Sequence, residues 1–323
     1  MEMKLAVGVP QVGNFRINVF RQRASVSLVI RYILGNIPTL DSLMLPPILS
    51  DLIMEKRGLI LIVGATGSGK STTIASMLDH RNANRSGHIL TIEDPIEFLF
   101  KHKKSIVNQR ELGMDTHGWE SALKNAMRQA PDCILIGEIR DRETMQAAIA
   151  YAQTGHLCLG TLHANNSYHA LNRVINFFPL ESRTSLYLDL SASLKAIISQ
   201  RLVKKPDGQR IPAAEVLLNT RHIQELIERG EILAIKEAME QSLAPGSQTF
   251  EHDLFRLYSE NIITLDEALA NADSPTNLSW LINNSQISGT SHKEEKLAEI
   301  PLDFAETNDS GTSFKEFTIN LGE

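Results

Sequence analysis

The chain has little of what several classes of site require. Its 323 residues include only two cysteines, Cys133 and Cys158, and no CxxC pair, which excludes a cysteine-based zinc site. Both cysteines lie in apolar, strand-like runs, so we expect reduced, buried thiols in a cytosolic protein. No stretch approaches the roughly 18 apolar residues of a membrane span, and the first ten residues lack the apolar core of a signal peptide. Any association with a membrane is therefore expected to go through a partner.

An excess of positive charge is also missing. The net charge is −6, and residues 282–323 alone hold eight acidic residues against three lysines. A basic stripe is absent from the sequence, so its charge does not favour nucleic acid as a partner. Residues 282–323 are rich in Asn, Ser, Thr, Glu and Asp and poor in apolar residues, and this composition predicts a disordered acidic tail.

One motif stands out against this background: LILIVGATGSGKSTT at residues 59–73. The apolar run predicts a buried parallel strand that breaks at Gly64 into a glycine-rich loop, and a helix-competent segment follows from Gly69. The pattern GxxxxGKS is a phosphate-binding loop in its required strand–loop–helix context. Lys70 is expected to reach the β- and γ-phosphates, and Ser71 to offer its hydroxyl to Mg²⁺.

The whole loop is expected to bind the nucleotide, because glycines let backbone N–H groups curl round an anion and the helix N-terminus adds its dipole. The predicted nucleotide-binding residues of the loop are Gly64, Ala65, Thr66, Gly67, Ser68, Gly69, Lys70, Ser71 and Thr72. The sequence therefore predicts a site for a nucleoside triphosphate.

Two acidic motifs follow predicted strands. TIEDPIEF, at residues 91–98, places Glu93, Asp94 and Glu97 in one turn, and CILIGEIRD, at residues 133–141, ends a buried strand at Glu138. Carboxylates at the carboxyl ends of parallel strands face the ligand crevice of such sheets. An NTPase strand normally presents a carboxylate to Mg²⁺, and here that residue would be Glu138.

Two histidines bracket a further predicted strand in TGHLCLGTLHANN, residues 154–166. His156 and His163 are seven residues apart, which places their rings at opposite ends of the strand and disfavours a shared metal. Roles near the γ-phosphate and at a subunit contact fit this spacing better than a metal site.

Arginines precede the nucleotide-binding part of the chain, at Arg16, Arg21, Arg23 and Arg31. Scattered surface charge is one interpretation. The other is charge stabilisation of a transferring phosphoryl group across a subunit interface, for which Arg21 is the weakest candidate.

Hydrophobic periodicity predicts an α/β fold with a mostly parallel sheet and helices on both faces. Strands are predicted at 59–63, 88–92, 132–137, 157–161 and 212–218, and helices at 70–80, 119–130, 141–153, 167–176 and 182–199. Residues 1–35 hold strand-like pieces too few for an independent domain, residues 36–47 with three prolines form a linker, residues 48–219 form the core, and residues 220–272 are helical.

Four blocks together resemble a known family. GATGSGKST, TIEDPIEF, RQAPDCILIGEIRD and TGHLCLGTLHANN look like the Walker A, Asp box, Walker B and His box of secretion ATPases. FRINVFRQR and the helical region after residue 220 resemble the retraction ATPases of type IV pili, the PilT/PilU group, and the details lie closest to its PilU branch. The resemblance implies a RecA-like P-loop NTPase core, a PAS-like N-terminal domain of which residues 1–35 are a remnant, and a C-terminal helical bundle.

The resemblance also implies residue roles and partners. Glu93 would polarise the attacking water and Glu138 would hold Mg²⁺, although the two could exchange parts. Lys70, His163 and Arg23 would act in catalysis, and His156, Arg16 and Arg31 would contact nucleotide. The family works as a homo-hexamer at the inner face of the inner membrane, where ATP hydrolysis turns a platform protein, retracts the pilus and drives twitching motility.

Two alternative functions stay open. The run NTRHIQELIERGEILAIKEAMEQS lacks the AIRNLIRE-type motif of PilT, so a PilT-type partner is expected for retraction. A nucleotide-binding regulatory or structural subunit with little hydrolysis of its own is the main alternative. A DNA-translocating enzyme is a weaker one, because the sequence offers no basic stripe.

Overall fold

The structure, a computed structural model, describes residues 2–9, 12–33 and 35–294. Its strands are β1 (Glu2–Val9), β2 (Gly13–Gln22), β3 (Ser25–Ile33), β4 (Gly58–Val63), β5 (Gly87–Glu93), β6 (Ser105–Glu111), β7 (Cys133–Ile136), β8 (Leu157–Leu162), β9 (Leu194–Lys204) and β10 (Arg210–Leu218). Its helices are α1 (Ile48–Met54), α2 (Lys70–Asn84), α3 (Trp119–Ala126), α4 (Arg142–Gln153), α5 (Ser167–Asn176), α6 (Arg183–Ser193), α7 (Arg221–Arg229), α8 (Ile235–Glu240), α9 (Phe250–Ser259), α10 (Leu265–Asn271) and α11 (Pro275–Glu294).

A seven-stranded sheet organises the fold, in the order β10-β9-β4-β8-β7-β5-β6. Only the β9–β10 pair is antiparallel; the other pairs of this sheet are parallel. The prediction of an α/β fold with a mostly parallel sheet is confirmed. Parallel strands end at the same edge of the sheet, so the segments that follow β4, β5, β7 and β8 meet there.

Helices cover both faces of this sheet, and β4 shows why. All its residues are buried, and their side chains alternate between two apolar clusters, as the period of a strand requires. Ile60 and Ile62 pack in the cluster that includes residues of α1 and α2, whereas Leu59, Leu61 and Val63 pack in the one that includes residues of α3 to α7. A strand that is buried on both faces has apolar residues at successive positions, as the sequence of β4, GLILIV, does.

Three strands precede this sheet. β1, β2 and β3 form an antiparallel sheet of their own in that order. The sequence predicts two strand-like pieces here, LAVGV and FRINVF, which lie in β1 and β2, and β3 is not predicted. β2 and β3 are joined at a tight turn in which Arg23 and Ala24 have left-handed backbone angles. The assignment of this sheet to a partial PAS-like domain stays a prediction.

Two further elements differ from the sequence prediction. The helix predicted over 182–199 is wrong in its second half: α6 ends at Ser193, and Leu194 begins β9. β6 was not predicted. It is the edge strand of the sheet, and its first four residues are alternately buried and exposed.

The C-terminal part of the described chain is helical, as predicted for residues 220–272. α11 continues to Glu294, so residues 282–294 of the predicted disordered tail are helical instead; the rest of that prediction, residues 295–323, lies outside the described residues. Among the described helices, none has both the length and the apolar character to span a membrane.

Candidate nucleotide-binding site

The glycine-rich loop joins β4 to α2 and packs closely against β9. Gly64 has φ +154°, and a Cβ there would lie 2.5 Å from the backbone oxygen of Gln200. Gly69 has φ +92°, and its Cβ would lie 2.7 Å from the side-chain nitrogen of the same residue. Only glycine allows both this backbone conformation and this approach. The loop therefore packs against β9 at Gly64 and Gly69 and leaves residues 65–67 exposed, which suits a phosphate-binding loop.

Lys70 is the first residue of α2 and is buried. Its ammonium donates to the carbonyl oxygens of Gly64 at 2.8 Å and Ala65 at 2.9 Å, so the loop itself holds the charge in place. Burial lowers the pKa of this ammonium, while the carboxylates of Glu138 and Glu97 act in the opposite direction. A positive charge at the start of a helix, close to carboxylates, fits the binding of a phosphate chain with a divalent cation.

A cavity of about 250 Å³ opens at the carboxyl edge of the sheet, beside this loop. Among the predicted site residues, Thr66, Gly67, Lys70, Ser71, Glu93, Glu138 and His163 line it. The remaining predicted loop residues, Gly64, Ala65, Ser68, Gly69 and Thr72, complete the turn without lining the cavity. The structure thus gathers Lys70, the hydroxyls of Thr66 and Ser71, the carboxylates Glu93 and Glu138, and His163 from four separate blocks of the sequence. The carboxylates of Asp94 and Glu97, from the TIEDPIEF motif, line the same cavity.

Glu93 ends β5 and is partly buried. Its Oε1 accepts hydrogen bonds from the Thr91 hydroxyl at 2.6 Å and from the Gln109 amide at 3.3 Å. Burial raises the pKa of this carboxyl to about 7, and these two hydrogen bonds counteract the rise by favouring the ionised form. A carboxyl that titrates near neutrality is suited to take a proton from water.

Glu138 follows β7 and faces His163, which follows β8. The His163 Nε2 lies 3.5 Å from Glu138 Oε1, and both side chains are partly exposed to the cavity. The Thr161 hydroxyl donates to the carbonyl oxygen of Gly137, which ties the ends of β7 and β8 together just below this pair. His163 and Glu138 therefore meet at the wall of the cavity, and a role of His163 near the γ-phosphate stays a prediction.

The residues that would hold Mg²⁺ also fit. Ser71 and Glu138 both line the cavity, and a hydroxyl with a carboxylate forms a hard-oxygen donor set of the kind that Mg²⁺ prefers. The cavity can accept the ion beside the phosphates that Lys70 would contact.

His156 is not part of this site, contrary to the predicted nucleotide contact. It lies at the amino end of β8, whereas the cavity is at the carboxyl ends of the strands. Its Nδ1 approaches the Tyr151 carbonyl oxygen and the Thr154 hydroxyl, and its ring packs edge-on against Tyr151. These contacts are those of a histidine that closes the turn between α4 and β8.

The predicted arginines do not line the cavity of their own chain. Arg16 lies 3.5 Å from Glu111 and is thus engaged within the subunit, which weakens it as a residue for a neighbouring site. Arg23 lies at the exposed turn between β2 and β3, and Arg21 and Arg31 are exposed on these strands. An exposed position is compatible with a contact to a second subunit.

Sequence reasoning missed the residues that support the site from behind. Gln200 accepts a hydrogen bond from the Thr73 hydroxyl at 2.7 Å and packs under the loop. It lies on β9, whose first residues were predicted as the end of a helix over 182–199. Gln109 lies on β6, which was not predicted at all. The residue types of β6, SIVNQRE, do not alternate between apolar and polar, since the buried first residue is Ser105 and the exposed second one is Ile106, so the local sequence carries little signal for this strand.

Comparisons with known proteins agree with this geometry. A family model described as type II/IV secretion system protein matches residues 14–244. The type IV pilus ATPase PilU of Pseudomonas aeruginosa is 47% identical over 315 residues, which are 97% of this chain and 82% of that protein. The pilus retraction ATPase PilT of the same organism is 40% identical and covers 86% of this chain and 80% of its own length.

Solved structures give the same result. The pilus retraction motor PilT with bound ADP superposes with a TM-score of 0.81 at 44% identity, covering 86% of this chain and 79% of that one. The Legionella pneumophila ATPase DotB superposes with a TM-score of 0.73 at 27% identity, covering 82% and 75%. The first of these proteins holds a nucleotide, as the cavity described above is built to do.

Proposed function

The chain belongs to the family of type II/IV secretion system proteins, and from this premise we propose that it is an ATP-hydrolysing motor subunit that powers retraction of type IV pili and thereby twitching motility. One observation carries the proposal: a single cavity gathers Lys70, Ser71, Glu93, Glu138 and His163 from four motifs. These are the groups that hydrolysis of a phosphoanhydride needs, namely a charge for the phosphates, a base for water and ligands for a cation.

The side chains divide the chemistry among them. Lys70 neutralises charge on the β- and γ-phosphates, and the N-terminus of α2 adds its dipole. The Glu93 carboxylate orients water and accepts its proton as the water oxygen attacks the γ-phosphorus and ADP leaves. His163, which lies 3.5 Å from Glu138, acts as a sensor of the γ-phosphate. Mg²⁺, held by Ser71 and Glu138, would neutralise further charge on the phosphates.

The assembly is part of the proposal. We expect a homo-hexamer at the cytoplasmic side of the inner membrane, acting on a platform protein of the pilus machine together with a PilT-type ATPase. Arg23 and Arg31 would complete the site of the neighbouring subunit, and hydrolysis would move the N-terminal sheet of one subunit against the core of the next. Similarity to PilU and PilT supports this arrangement.

A regulatory subunit that binds ATP but hydrolyses little is the alternative. The segment after β10, NTRHIQELIERG, favours it, because it departs from the AIRNLIRE-type motif of PilT while still forming α7. Turnover by the purified protein, measured with and without a PilT-type partner, separates the two functions.

Lys70→Ala tests the core of the proposal. The variant should keep its fold, because α2 remains anchored by buried apolar residues such as Ile74, Met77 and Leu78, but it should lose ATP binding or turnover. ATP binding by calorimetry and phosphate release give the result, and circular dichroism controls for folding. Turnover equal to that of the parent in a folded variant would contradict the assignment of the site.

A further inference from the structure

The amide of Gln109 makes three hydrogen bonds at the wall of the cavity. Its Nε2 donates to Glu93 Oε1 at 3.3 Å and to the Phe98 carbonyl oxygen at 2.8 Å, and its Oε1 accepts from the Phe100 backbone N–H at 3.0 Å. One partly buried side chain thus connects the candidate base to the loop that follows it. A planar amide that is bonded at both ends has a fixed orientation, so it can fix that of its partners.

The loop that Gln109 holds is part of the cavity wall. Phe98 and Phe100 both line the cavity, and Phe98 is buried. Two residues further along β6, on the same face of the strand, Glu111 accepts a hydrogen bond from the Ile96 backbone N–H at 3.1 Å. β6 is therefore an edge strand whose inward side chains hold the loop of residues 94–100 in place.

We propose that Gln109 is a positioning residue for turnover, which holds the Glu93 carboxylate toward the cavity and keeps the loop of Phe98 and Phe100 closed along its wall. This inference rests on the proposed function, because it gives Gln109 its role through Glu93. It goes beyond the Walker and Asp-box residues, since β6 belongs to none of the motifs in the sequence.

Two consequences distinguish positioning from simple structural support. A hydrogen bond to an ionised carboxylate favours that form, so its loss should make Glu93 harder to ionise, by an amount on the order of one pH unit. The loop contacts concern the cavity wall instead, so their loss should weaken nucleotide binding. The other titratable groups that line the cavity with Glu93 are Lys70, Asp94, Glu97, Glu138 and His163, and Glu111 lies opposite Glu93 on β6.

The test compares three variants by steady-state ATPase kinetics between pH 5.5 and 9. Gln109→Leu keeps the size of the side chain but none of its hydrogen bonds; we expect its acid limb to move to higher pH and its KM for ATP to rise several-fold. Thr91→Val removes only the 2.6 Å hydrogen bond to Glu93, so its acid limb should move while its KM stays. Asn108→Ala, at an exposed position on the same strand, should match the parent in both.

A folded Gln109→Leu with the parent's pH profile and KM overturns the inference, even if its melting temperature is lower. If Gln109→Leu does not fold, Gln109→Glu serves instead: it keeps the acceptor for Phe100, loses the donors and adds a negative charge beside Glu93, so its acid limb should move further. Glu93→Gln separates failure of the assigned base from failure of the role proposed for Gln109. If Glu93→Gln loses turnover but the Gln109 variants keep the parent's pH profile, the inference about Gln109 alone is wrong. If Glu93→Gln turns over ATP like the parent, both the assigned base and the inference are wrong.

Discussion

Glu93 gives the site its expected pH dependence. Burial raises the pKa of its carboxyl to about 7, above the ordinary value of about 4.5, so the group is protonated in much of the mildly acidic range. Only the ionised form can accept a proton from water, and turnover should therefore rise as pH increases through about 7. The measurement is the pH profile of the ATPase rate at saturating ATP, for the parent and for the conservative variant Glu93→Asp.

The same group has an opposite effect on stability. A carboxyl whose pKa is higher in the folded than in the unfolded chain binds protons more tightly when folded. Its contribution is therefore fully present below about pH 4.5 and is lost as pH rises to about 7. Glu93→Gln should remove this loss, so the variant should gain stability relative to the parent on going from pH 5 to pH 8. Urea unfolding at the two pH values measures it, and an unchanged difference would mean that Glu93 titrates normally.

Glu93 and Glu138, two of the four carboxylates that line the cavity, should respond differently to neutralisation. Glu93→Gln should still bind ATP but lose on the order of 10²-fold or more in turnover, as expected for a general base. Glu138→Gln should instead weaken the Mg²⁺ dependence of binding, because it removes a charged oxygen ligand. Calorimetric titration of ATP with and without Mg²⁺, together with phosphate release, shows which residue acts as the base and which binds Mg²⁺. If Glu138→Gln loses turnover and Glu93→Gln loses the Mg²⁺ dependence, the two residues have the opposite roles.

At the scale of elements, the start of α4 follows the Walker B strand by a few residues and depends on its cap. The Asp141 side chain accepts from the Thr144 backbone N–H at 2.9 Å, and the Thr144 side chain returns a contact, which closes a capping box. Asp141→Ala should lower the free energy of unfolding by about 1 kcal/mol, and Asp141→Asn, which can still cap, by much less. Urea denaturation of both variants checks this; equal losses would show that charge rather than capping matters.

The sequence predicted those elements whose signal is local. The β4–loop–α2 unit was predictable because a fully buried strand, a glycine-rich turn and a helix follow one another without interruption. β9 was not, because Leu194 to Leu202 carries apolar residues at spacings that also suit a helix, and only its pairing with β4 selects the strand. Gln200 and Gln109, which support the site, lie on β9 and β6, two of the three strands that the sequence pattern did not predict. Tertiary pairing, not local propensity, placed them.

At the scale of the whole molecule, the carboxyl and amino ends of the parallel strands carry different groups. The carboxyl edge holds the cavity with its lysine and its carboxylates, whereas the amino end of β8 holds His156 in a turn. Histidines only seven residues apart thus belong to different parts of the fold. We therefore expect His163, but not His156, to respond to nucleotide within its own subunit. Because the two histidines lie at opposite ends of β8, they should not share a metal, and metal analysis of the protein should find no stoichiometric zinc or iron that is lost in His156→Ala.

The cavity of one chain also lacks an arginine among the described residues that line it. In phosphoryl transfer a second positive charge on the transferring oxygens is worth roughly 10³ to 10⁵ in rate, and it can come from a neighbouring molecule. Arg23, at the exposed turn between β2 and β3, and Arg31 are the candidates, since Arg16 is paired with Glu111. We therefore expect activity to depend on protein concentration through assembly.

A mixing experiment tests this dependence directly. Lys70→Ala subunits and Arg23→Ala subunits should each be nearly inactive alone, the first for want of a phosphate contact and the second for want of a charge on the neighbour's site. Mixed in one ring, some interfaces pair an intact cavity with an intact arginine, so part of the activity should return. Arg21→Ala, on the same strand end, is the matched control and should have a smaller effect. Full activity in a form shown to be monomeric, or no loss in the Arg23 and Arg31 variants, would mean that each chain completes its site alone.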